Sequence, residues 1–385
     1  MVQDEEIRTL TPNQGPILIA DITGYSRFLN ESELVHAGQT LSALLEVMVE
    51  QTRPPLVVSK LEGDAVFSYG IDGNVLAGQA FVESIEASYV EFRRALELMV
   101  LNTSCTCNAC ANISGLDLKF FVHHGEFVLG ESAGRTELHG ADVNLLHRLL
   151  KNTVTADTGI TAYVMYTQQA VDALDLDELT ESMAAHTDTY DDVGVVTARV
   201  EDLQPVWDEA QTAPSIHFDP DDVGIDVSTT IDLPPEVVWG YLIDPEYRKT
   251  IFGSDRQELR DIVRGRVGEG SVYQCYHGDH QISQLILEWK PLERIVFRFT
   301  DKIPLGTLVF TVGYFLERVG ENTLLTEQWP KPGGSGLAHR ALLSPLGKRL
   351  VVPRAARKSQ RGLEAFRDRI ESVYVEQSQT VAPAP

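Results

Sequence analysis

Two aspartates in the N-terminal part of the sequence stand where short apolar segments meet glycine-containing turns. Asp21 follows the apolar run 17–20, and Asp64 follows Gly63 and precedes a second apolar run, 65–69. If both runs are neighbouring strands, the two carboxylates lie at the same end of one sheet. Paired carboxylates are the ligands that hard cations such as Mg²⁺ require, with substrate phosphates completing the coordination. The alternative is that both are surface aspartates, which are common at turns.

Further polar residues could complete such a site. The turn Thr23-Gly24-Tyr25 leads into a helix, and its backbone amides are suited to bind a phosphate. Asn144 and Arg148 are four residues apart in a leucine-rich segment, so on a helix their side chains share one face. Arg148 also has an alternative interpretation, as one cation of an exposed cluster with His147 and Lys151.

Three of the four cysteines form a compact cluster, Cys105-Thr-Cys107-Asn-Ala-Cys110. Their spacing is short enough to surround one Zn²⁺, with His123, His124 or water as the fourth ligand. The alternative is three reduced cysteines in a loop that follows a helix. The two histidines alternate on a predicted strand, so one of them is expected to point inward as a core histidine.

Alternating strand and helix patterns position these residues in the first half of the chain. Apolar runs predict strands at 17–22, 56–60, 65–69, 116–129, 160–165 and 195–200, with a hairpin around Gly63 and a bend at Gly125. Helical periodicity predicts helices over 31–51, 75–101, 140–152 and 171–174. This order is typical of an α/β sandwich with a mixed sheet. We expect this domain to cover residues 12–204, and a Pro- and Asp-rich linker, 205–222, to follow it.

A second domain is predicted over residues 223–375, because a chain of 385 residues fits two domains and the pattern changes there. An alternating strand and a Pro-Pro break precede a helix, and further strands follow at 271–277, 281–289, 294–300, 307–317 and 323–329. A last helix is predicted to occupy most of 355–375. These features predict an α+β domain in which a curved sheet grips a helix. The final residues, 376–385, are expected to be a disordered tail.

The composition limits the classes of function. The chain is 43% hydrophobic and 23% charged, as is typical of a globular protein. Its formal net charge of −24 argues against general binding to nucleic acid or to an anionic membrane. The sequence has no signal-peptide pattern at its start and no apolar run of the length that crosses a bilayer. A cytoplasmic protein without a transmembrane segment is therefore expected.

Four motifs, in order, resemble those of class III nucleotidyl cyclases. The segment ADITGYSRFL at 20–29 resembles the ADIxGFTxL start of that family, and the segment KLEGD at 60–64 resembles its K-x-x-G-D hairpin. The segment FVHHGEFVLGE at 121–131 is similar to its strand with an H-x-G pattern. The segment GADVNLLHR at 140–148 resembles its G-x-x-V-N-x-x-x-R helix. The resemblance spans residues 12–203.

This resemblance implies a ferredoxin-like α+β fold and an obligate homodimer whose active sites lie across the interface. A nucleoside triphosphate, with ATP as the first candidate, would be converted to a 3′,5′-cyclic nucleotide and pyrophosphate. Asp21, Asp64 and the backbone of Ile22 would hold two Mg²⁺ or Mn²⁺ ions, and the turn 23–25 would lie beside the phosphates.

The resemblance also assigns residues to the substrate. Lys60 would contact the base from the other subunit, Asn144 would orient the ribose, and Arg148 would stabilise charge on the α-phosphoryl group. Three features depart from the family pattern, and one of them is the bulky segment Leu145, Leu146 and His147, where the family prefers small residues. Arg135 stands where the family has a base-selecting Asp, so either the base differs or Glu137 replaces that Asp. Val193-Gly194 stands where the family has a triphosphate-binding Lys-Gly. The alternative to an enzyme is a catalytically silent, dimeric, cyclase-like sensor.

Residues 223–375 resemble the START-like superfamily (SRPBCC, polyketide cyclase and lipid transport), mainly through the opening VSTTIDLPPEVVWGYLIDPE at 227–246. The resemblance implies a helix-grip fold with a pocket between the sheet and the last helix. A hydrophobic small molecule or lipid bound there would regulate the first domain. The aromatic candidates for the pocket lining are Trp239, Tyr241, Tyr276, Trp289, Phe297, Phe299, Phe310, Tyr314 and Trp329. The alternative is that these side chains form an ordinary core.

Overall fold

The computed structural model describes residues 11–52, 56–75, 77–102, 105, 107–132, 135–262, 265–304, 306–331, 344 and 349–381, apart from the side chains of 132, 135, 136, 380 and 381. These residues form two compact units. Unit 1 contains Ile85–Gln211 and the described residues before Gly78, and unit 2 contains Gly78–Ser84 and Thr212–Gln379. Both units are mixed α+β structures.

The strands of unit 1 form one mixed sheet. They are β1 (Pro12–Thr23), β2 (Val57–Glu62), β3 (Ala65–Tyr69), β4 (Asp117–Ser132), β5 (Arg135–His139), β6 (Tyr163–Thr167), β7 (Ala184–Tyr190) and β8 (Gly194–Asp202). The strand order is β2-β3-β1-β4-β6-β8-β7, and β5 pairs with β4 outside this path. The pair β4 and β6 is parallel, whereas β1 is antiparallel to both β3 and β4.

Helices connect these strands. They are α1 (Tyr25–Asn30), α2 (Leu34–Gln51), α3 (Gln79–Asn102), α4 (Asn108–Asn112), α5 (Ala141–Leu149), α6 (Val154–Thr158), α7 (Gln168–Ala173), α8 (Asp177–Thr180) and α9 (Gln204–Thr212), with a 3₁₀ helix at Ile113–Gly115. The apolar stretch of β1 is buried because it lies between β3 and β4 in the sheet. Its side chains Ile17 and Ile19 share a core with Phe67, Phe121 and Leu146, the last of which lies on α5.

Unit 2 contains one antiparallel sheet and several helices, and the first residues of α3 belong to it. The strands are β9 (Val223–Ile231), β10 (Arg256–Arg260), β11 (Val272–His277), β12 (His280–Lys290), β13 (Arg294–Ile303), β14 (Gly306–Val319) and β15 (Asn322–Pro330). Their order is β10-β11-β12-β13-β14-β15-β9. The helices are α10 (Pro235–Ile243), α11 (Pro245–Phe252) and α12 (Val352–Val381), and a 3₁₀ helix at Pro220–Asp222 precedes β9.

The last helix, α12, packs on unit 2 through one apolar stripe. Leu363, Phe366 and Ile370 on this stripe are fully buried. Gly362 allows a close approach to α11, because a Cβ atom at this position would lie 2.0 Å from the carbonyl oxygen of Ile251. A side chain there would push the two helices apart.

Several elements differ from the sequence-based expectations. Residues 204–212, mostly inside the predicted linker, form α9 because Trp207 is buried and gives that segment an apolar anchor. The predicted tail is helical as far as Val381, since it continues α12, and residues 382–385 lie outside the described part. The expected bend at Gly125 is absent from β4, which runs through that glycine without interruption. The polar strand β7 was not predicted, because its burial alternates without an apolar run.

Candidate functional site

The end of β1 and the β2–β3 hairpin bring Asp21 and Asp64 to the same edge of the unit 1 sheet. Asp21 is paired with Ala65 in the strand register. The backbone N–H of Ile22 donates a hydrogen bond to the backbone oxygen of Asp64 at 3.3 Å. Gly63 makes this arrangement possible, because the hairpin turn requires its positive φ of 65°. The two carboxylates are therefore neighbours, as the metal hypothesis requires.

The electrostatics of this pair show that negative charge is crowded there. Burial and then the charge of Asp21 raise the pKa of Asp64 to about 6. Burial also raises the pKa of Asp21, against the opposing effect of Lys119, whose Nζ lies 3.2 Å from Asp21 Oδ2. Within the described part of the chain no cation forms an ion pair with Asp64. A divalent cation would relieve the repulsion between the carboxylates, so these residues fit the proposed metal.

Lys119 was not singled out from the sequence. It lies on β4 directly opposite Asp21 in the β1–β4 register, and only 19% of its side chain is exposed. A charged lysine inside an apolar strand is a signal that could have identified it, because such a cation needs a nearby carboxylate. Its position also means that Asp21 already has a cationic partner.

The turn after Asp21 has a defined conformation. Gly24 adopts a φ of +86°, and a Cβ atom there would lie 2.9 Å from the backbone oxygen of Gly115. The Thr23 hydroxyl donates to the backbone oxygen of Thr161 at 3.0 Å. Burial and then the charge of Asp64 raise the pKa of the Tyr25 hydroxyl. The turn thus lies beside the two aspartates.

Lys60 is half-buried on β2 and is engaged within its own chain. Its Nζ lies 2.6 Å from Glu62 Oε1 and 5.7 Å from the ring centre of Phe67. Glu62 also lies 3.3 Å from Nδ1 of His147, a residue of α5. Lys60 therefore lies on β2, just before the hairpin turn that contains Asp64. Its ammonium group contacts Glu62 of the same strand.

Helix α5 carries Asn144 and Arg148. Asn144 is exposed. Arg148 donates to the backbone oxygen of Asp191 at 2.6 Å and lies 3.5 Å from a carboxylate oxygen of Asp192. Among the described residues, no hydrogen bond or ion pair links Asn144 or Arg148 to Asp21 or Asp64. Within one chain, the described contacts therefore do not join the two halves of the expected site.

The β7–β8 hairpin is the position at which the cyclase resemblance expects a lysine. Val193 stands there instead and is 41% exposed. Arg148 is the cation that reaches this hairpin, through its contacts with Asp191 and Asp192. Arg135, which stands where the cyclase family has its base-selecting Asp, has a side chain outside the described part of the structure. Glu137, the alternative residue for that role, lies half-buried on β5.

Asp142 is a structural residue that was missed in the sequence. Its Oδ2 accepts a hydrogen bond from the backbone N–H of Glu126 at 2.7 Å. A Cβ atom on Gly125 would lie 2.3 Å from that same oxygen, so only glycine allows the contact. Asp142 Oδ1 also lies 3.4 Å from Nε2 of the buried His123. Gly125 on β4 and Asp142 on α5 therefore hold the helix against the strand.

The cysteine cluster has a different fourth member from the one expected. Ligand atoms of Cys105, Cys107, Cys110 and His36 all lie within 4.8 Å of one another. His36 lies on α2, and its Nδ1 is 3.1 Å from Cys107 Sγ and 3.7 Å from Cys105 Sγ. These four side chains could hold a metal ion.

The proposals of His123 and His124 as the fourth ligand are wrong, because both side chains are buried and bonded elsewhere. His123 Nδ1 lies 2.8 Å from Thr167 Oγ1. Burial lowers the pKa of His123, which keeps its ring neutral. His124 Nε2 lies 2.9 Å from a carboxylate oxygen of Asp72. Both are core histidines, whereas the sequence predicted one.

Unit 2 contains a cavity of about 120 Å³ between its sheet and α12. Phe299, Phe310 and Trp329 form one aromatic wall of the cavity. The ring centres of Phe299 and Phe310 are 5.1 Å apart, and those of Phe310 and Trp329 are 4.8 Å apart. This volume is below the roughly 300–1,000 Å³ of pockets for drug-sized ligands, and close to the roughly 150 Å³ of a cavity that binds benzene. The space lined by these described residues is of the size of a small aromatic molecule.

The other aromatic candidates do not line this cavity. Phe297 and Tyr314 instead pack around the guanidinium group of the fully buried Arg248, at 4.1 and 5.0 Å from their ring centres. The six candidates away from the cavity are Trp239, Tyr241, Tyr276, Trp289, Phe297 and Tyr314. Phe297 and Tyr314 are held by the buried cation of Arg248, whereas Trp239 packs on Trp289 and Tyr241 on Tyr247.

One buried acid lies in the cavity wall. Glu327 accepts a hydrogen bond from the Ser359 hydroxyl at 2.8 Å, and burial raises its pKa. Its other carboxylate oxygen has no hydrogen-bond partner among the described residues. Lys358 and His277 also line the space. The lining is thus mostly apolar, with Glu327 as its buried acid.

Comparison with known proteins gives partial matches. Residues 41–158 match the family described as "Protein of unknown function (DUF2652)". The uncharacterized protein Rv2561/Rv2562 of Mycobacterium tuberculosis (strain ATCC 25618 / H37Rv) is 30% identical over 135 residues, which are 35% of this chain. The chain spans only 60% of the length of this curated relative.

Solved structures with similarity include two adenylyl cyclases. A bacterial light-regulated adenylyl cyclase matches with a TM-score of 0.37 and 13% identity, over 52% of this chain and 57% of that chain. The adenylyl cyclase CyaB from P. aeruginosa matches with a TM-score of 0.38 and 15% identity, over 50% of this chain and 96% of that chain. None of the described helices has both the length and the apolar character needed to cross a membrane.

Proposed function

We propose that this chain is a homodimeric class III nucleotidyl cyclase that converts a nucleoside triphosphate, with ATP as the first candidate, to a 3′,5′-cyclic nucleotide and pyrophosphate. The observation that carries the proposal is the carboxylate pair of Asp21 and Asp64, held together at one sheet edge with a raised pKa on both groups. The four sequence motifs and the strand order of unit 1 support a cyclase-like fold.

The reaction forms a bond between the ribose 3′ oxygen and the α-phosphorus. It breaks the bond from that phosphorus to the oxygen bridging to the β-phosphate, and the 3′-hydroxyl proton passes to solvent. Mg²⁺ or Mn²⁺ bound by Asp21, Asp64 and the backbone of Ile22 would supply Lewis-acid activation of the hydroxyl and neutralise phosphate charge. The turn Thr23-Gly24-Tyr25, which adjoins the carboxylates, would place its backbone amides beside the phosphates.

The second half of the site would come from the other subunit. Asn144 is exposed, and among the described residues Arg148 is bonded to the β7–β8 hairpin alone, so we infer that both can face a partner. Asn144 of the partner subunit would orient the ribose, and Arg148 of the partner subunit would donate to the α-phosphoryl oxygens. Lys60 of the partner subunit would contact the base. Lys119, 3.2 Å from Asp21, could take over phosphate binding from the lysine that Val193 replaces.

Product formation with different nucleotides tests this proposal. The pure full-length protein is incubated with Mn²⁺ and each of the four common nucleoside triphosphates, and cyclic product is measured by liquid chromatography. The proposal expects product from at least one nucleotide and none from Asp64→Ala. The control is a carboxylate substitution outside the site, Asp279→Asn on an exposed hairpin of unit 2, which should leave product formation unchanged. Absence of product from every nucleotide, at concentrations where the protein is dimeric, would overturn the enzyme proposal.

A catalytically silent, dimeric sensor is the second candidate function. The ion pair between Lys119 and Asp21 favours it, because a lysine already compensates one of the two carboxylates without any metal. Binding of a nucleotide with no turnover would support this second candidate.

Unit 2 would provide the ligand-sensing part in either case. We propose a START-like, helix-grip fold that binds a hydrophobic small molecule, and the cavity beside Phe310 and Trp329 supports a compact aromatic one. Calorimetric titration with a panel of small aromatic compounds would detect binding. Phe310→Trp should fill the cavity and abolish that binding, so unchanged binding by this variant would contradict the assignment of the cavity.

A further inference from the structure

We propose that His36, Cys105, Cys107 and Cys110 bind one structural Zn²⁺ ion, with His36 as the fourth ligand. This site is separate from the carboxylate pair and does not depend on the proposed reaction. The four residues come from two parts of the chain, since His36 lies on α2 whereas the cysteines follow α3. A sequence motif of three cysteines therefore becomes a complete set of four ligands only in the folded unit.

The distances agree with a tetrahedral metal centre. With Zn–S bonds of about 2.3 Å and a Zn–N bond of about 2.0 Å, ligand atoms lie roughly 3.5–3.8 Å apart. The four ligand atoms here lie within 4.8 Å of one another. Nδ1 of His36 is 3.1 Å from Cys107 Sγ and 3.7 Å from Cys105 Sγ. Side-chain movements of a few tenths of an ångström up to about 1 Å would complete the tetrahedron.

The ligand chemistry selects zinc over the hard cations expected at Asp21 and Asp64. Thiolates are soft ligands that favour Zn²⁺, whereas Mg²⁺ prefers oxygen ligands. Three thiolates and a neutral imidazole around Zn²⁺ leave a net charge of −1, which backbone donors can stabilise. The N–H of Cys110 points at Cys107 Sγ with a separation of 3.5 Å. No position would stay open for a substrate, so the ion would be structural.

Residues around the four ligands hold the segment in place. Glu33 accepts hydrogen bonds from the backbone N–H groups of Asn108 and Ala109 at 3.2 and 3.0 Å, and so fixes the start of α4. Such outer contacts orient metal ligands in known sites. Helix α4 has only five residues and is too short to be stable alone. A metal ion would connect α4 to α2 and supply the stability that α4 lacks.

The segment that the ion would hold reaches the turn beside Asp21. The 3₁₀ helix after α4 ends at Gly115, whose backbone oxygen lies 2.9 Å from the position of a Cβ atom on Gly24. Zinc at the cluster would therefore restrict the movement of the backbone against which Gly24 packs. Its loss should loosen that turn without removing any residue from it.

Metal analysis of the full-length protein tests the proposal. The chain is purified with a reducing agent and Zn²⁺, dialysed to remove loosely bound metal, and measured by mass spectrometry of its elements. We expect about one zinc per chain in the wild type and in Cys275→Ser, whose buried cysteine lies in unit 2. Cys107→Ser and His36→Gln should lose most of this zinc. Wild-type protein without stoichiometric zinc, or His36→Gln with full zinc, would overturn the proposal.

Cobalt replacement provides a test that needs no variant. Metal-free wild-type protein is titrated with Co²⁺ under reducing conditions, and its absorption spectrum is recorded. Tetrahedral coordination by thiolates should give intense visible d–d bands and a thiolate charge-transfer band that saturate at one equivalent. Weak absorption bands typical of octahedral Co²⁺ would contradict the site. A protein that binds no Co²⁺ although its cysteines are reduced would contradict it as well.

Discussion

Replacing Asp64 by Asn should stabilise the protein near neutral pH in the absence of added divalent cations. Burial and the charge of Asp21 raise the pKa of Asp64 from 3.8 to about 6. Above that pH the folded state carries a poorly solvated charge that the unfolded state hydrates freely. Between about pH 4 and 6 the folded state binds more protons than the unfolded state, so stability falls as the pH rises through this window.

The expected size of the effect follows from the pKa. A shift of roughly two pKa units corresponds to about 3 kcal/mol, but Asp64 is partly exposed and solvent screening reduces this to about 1–2 kcal/mol. For a chain of 385 residues that unfolds as one unit, such a change raises the Tm by about 1–3 °C. Asn preserves the side-chain size and leaves the backbone hydrogen bond from Ile22 to residue 64 in place.

Thermal unfolding of protein dialysed against buffer without Mg²⁺ or Mn²⁺ measures this effect. Asp64→Asn should have a higher Tm than the wild type at about pH 7.5, and the difference should shrink at about pH 5. Asp279→Asn, on an exposed turn of unit 2, should change the Tm at neither pH. A Tm for Asp64→Asn equal to or below that of the wild type at the higher pH would refute the reasoning.

Three further changes test other parts of the structure. Lys119→Met removes the cation 3.2 Å from Asp21. It should destabilise the metal-free protein by about 1–2 kcal/mol and enlarge the rise in Tm on adding Mn²⁺. An unchanged rise in Tm would contradict a competition between the lysine and the metal for Asp21. Gly125→Ala places a Cβ atom 2.3 Å from Asp142 Oδ2. It should lower the free energy of unfolding, measured in urea, by about 1–3 kcal/mol. The double variant with Asp142→Ala should lose less free energy of unfolding than the sum of the two single variants. Glu327→Gln should remove the loss of stability that the wild type shows as pH rises through the raised pKa of Glu327, so parallel pH profiles of unfolding for the two proteins would argue against a buried charge there.

The residues at strand ends were the most predictable part of the site. The apolar run before Asp21 and the glycine before Asp64 indicate two strands and a hairpin, and the structure pairs Asp21 with Ala65. The spacing of the cysteines likewise predicted that they cluster, but Cys107 caps α4 and Cys110 lies within that helix rather than in a loop. Both inferences depend on residues close in sequence, which local patterns describe well.

Contacts between distant segments could not be predicted in this way. His36 is separated from Cys107 by 71 positions, and no local pattern marks a single histidine on a helix as a ligand. Lys119 finds Asp21 only because β1 and β4 are neighbours in the sheet. The aromatic candidates of unit 2 were identified by residue type alone, and the buried Arg248 decides which of them pack around a cation rather than around the cavity. Tertiary pairing thus determined what the sequence left open.

Cyclic nucleotide formation by a mixture of two inactive variants tests the central claim most directly. Asp64→Ala removes one half of the proposed site and Arg148→Ala removes the other, so each variant alone should give no product. If the site lies across a dimer, mixing them should restore up to about one quarter of the wild-type rate, because half of the dimers carry one intact site out of two. A mixture as inactive as its components, alongside an active wild type, would contradict a cyclase site shared between subunits.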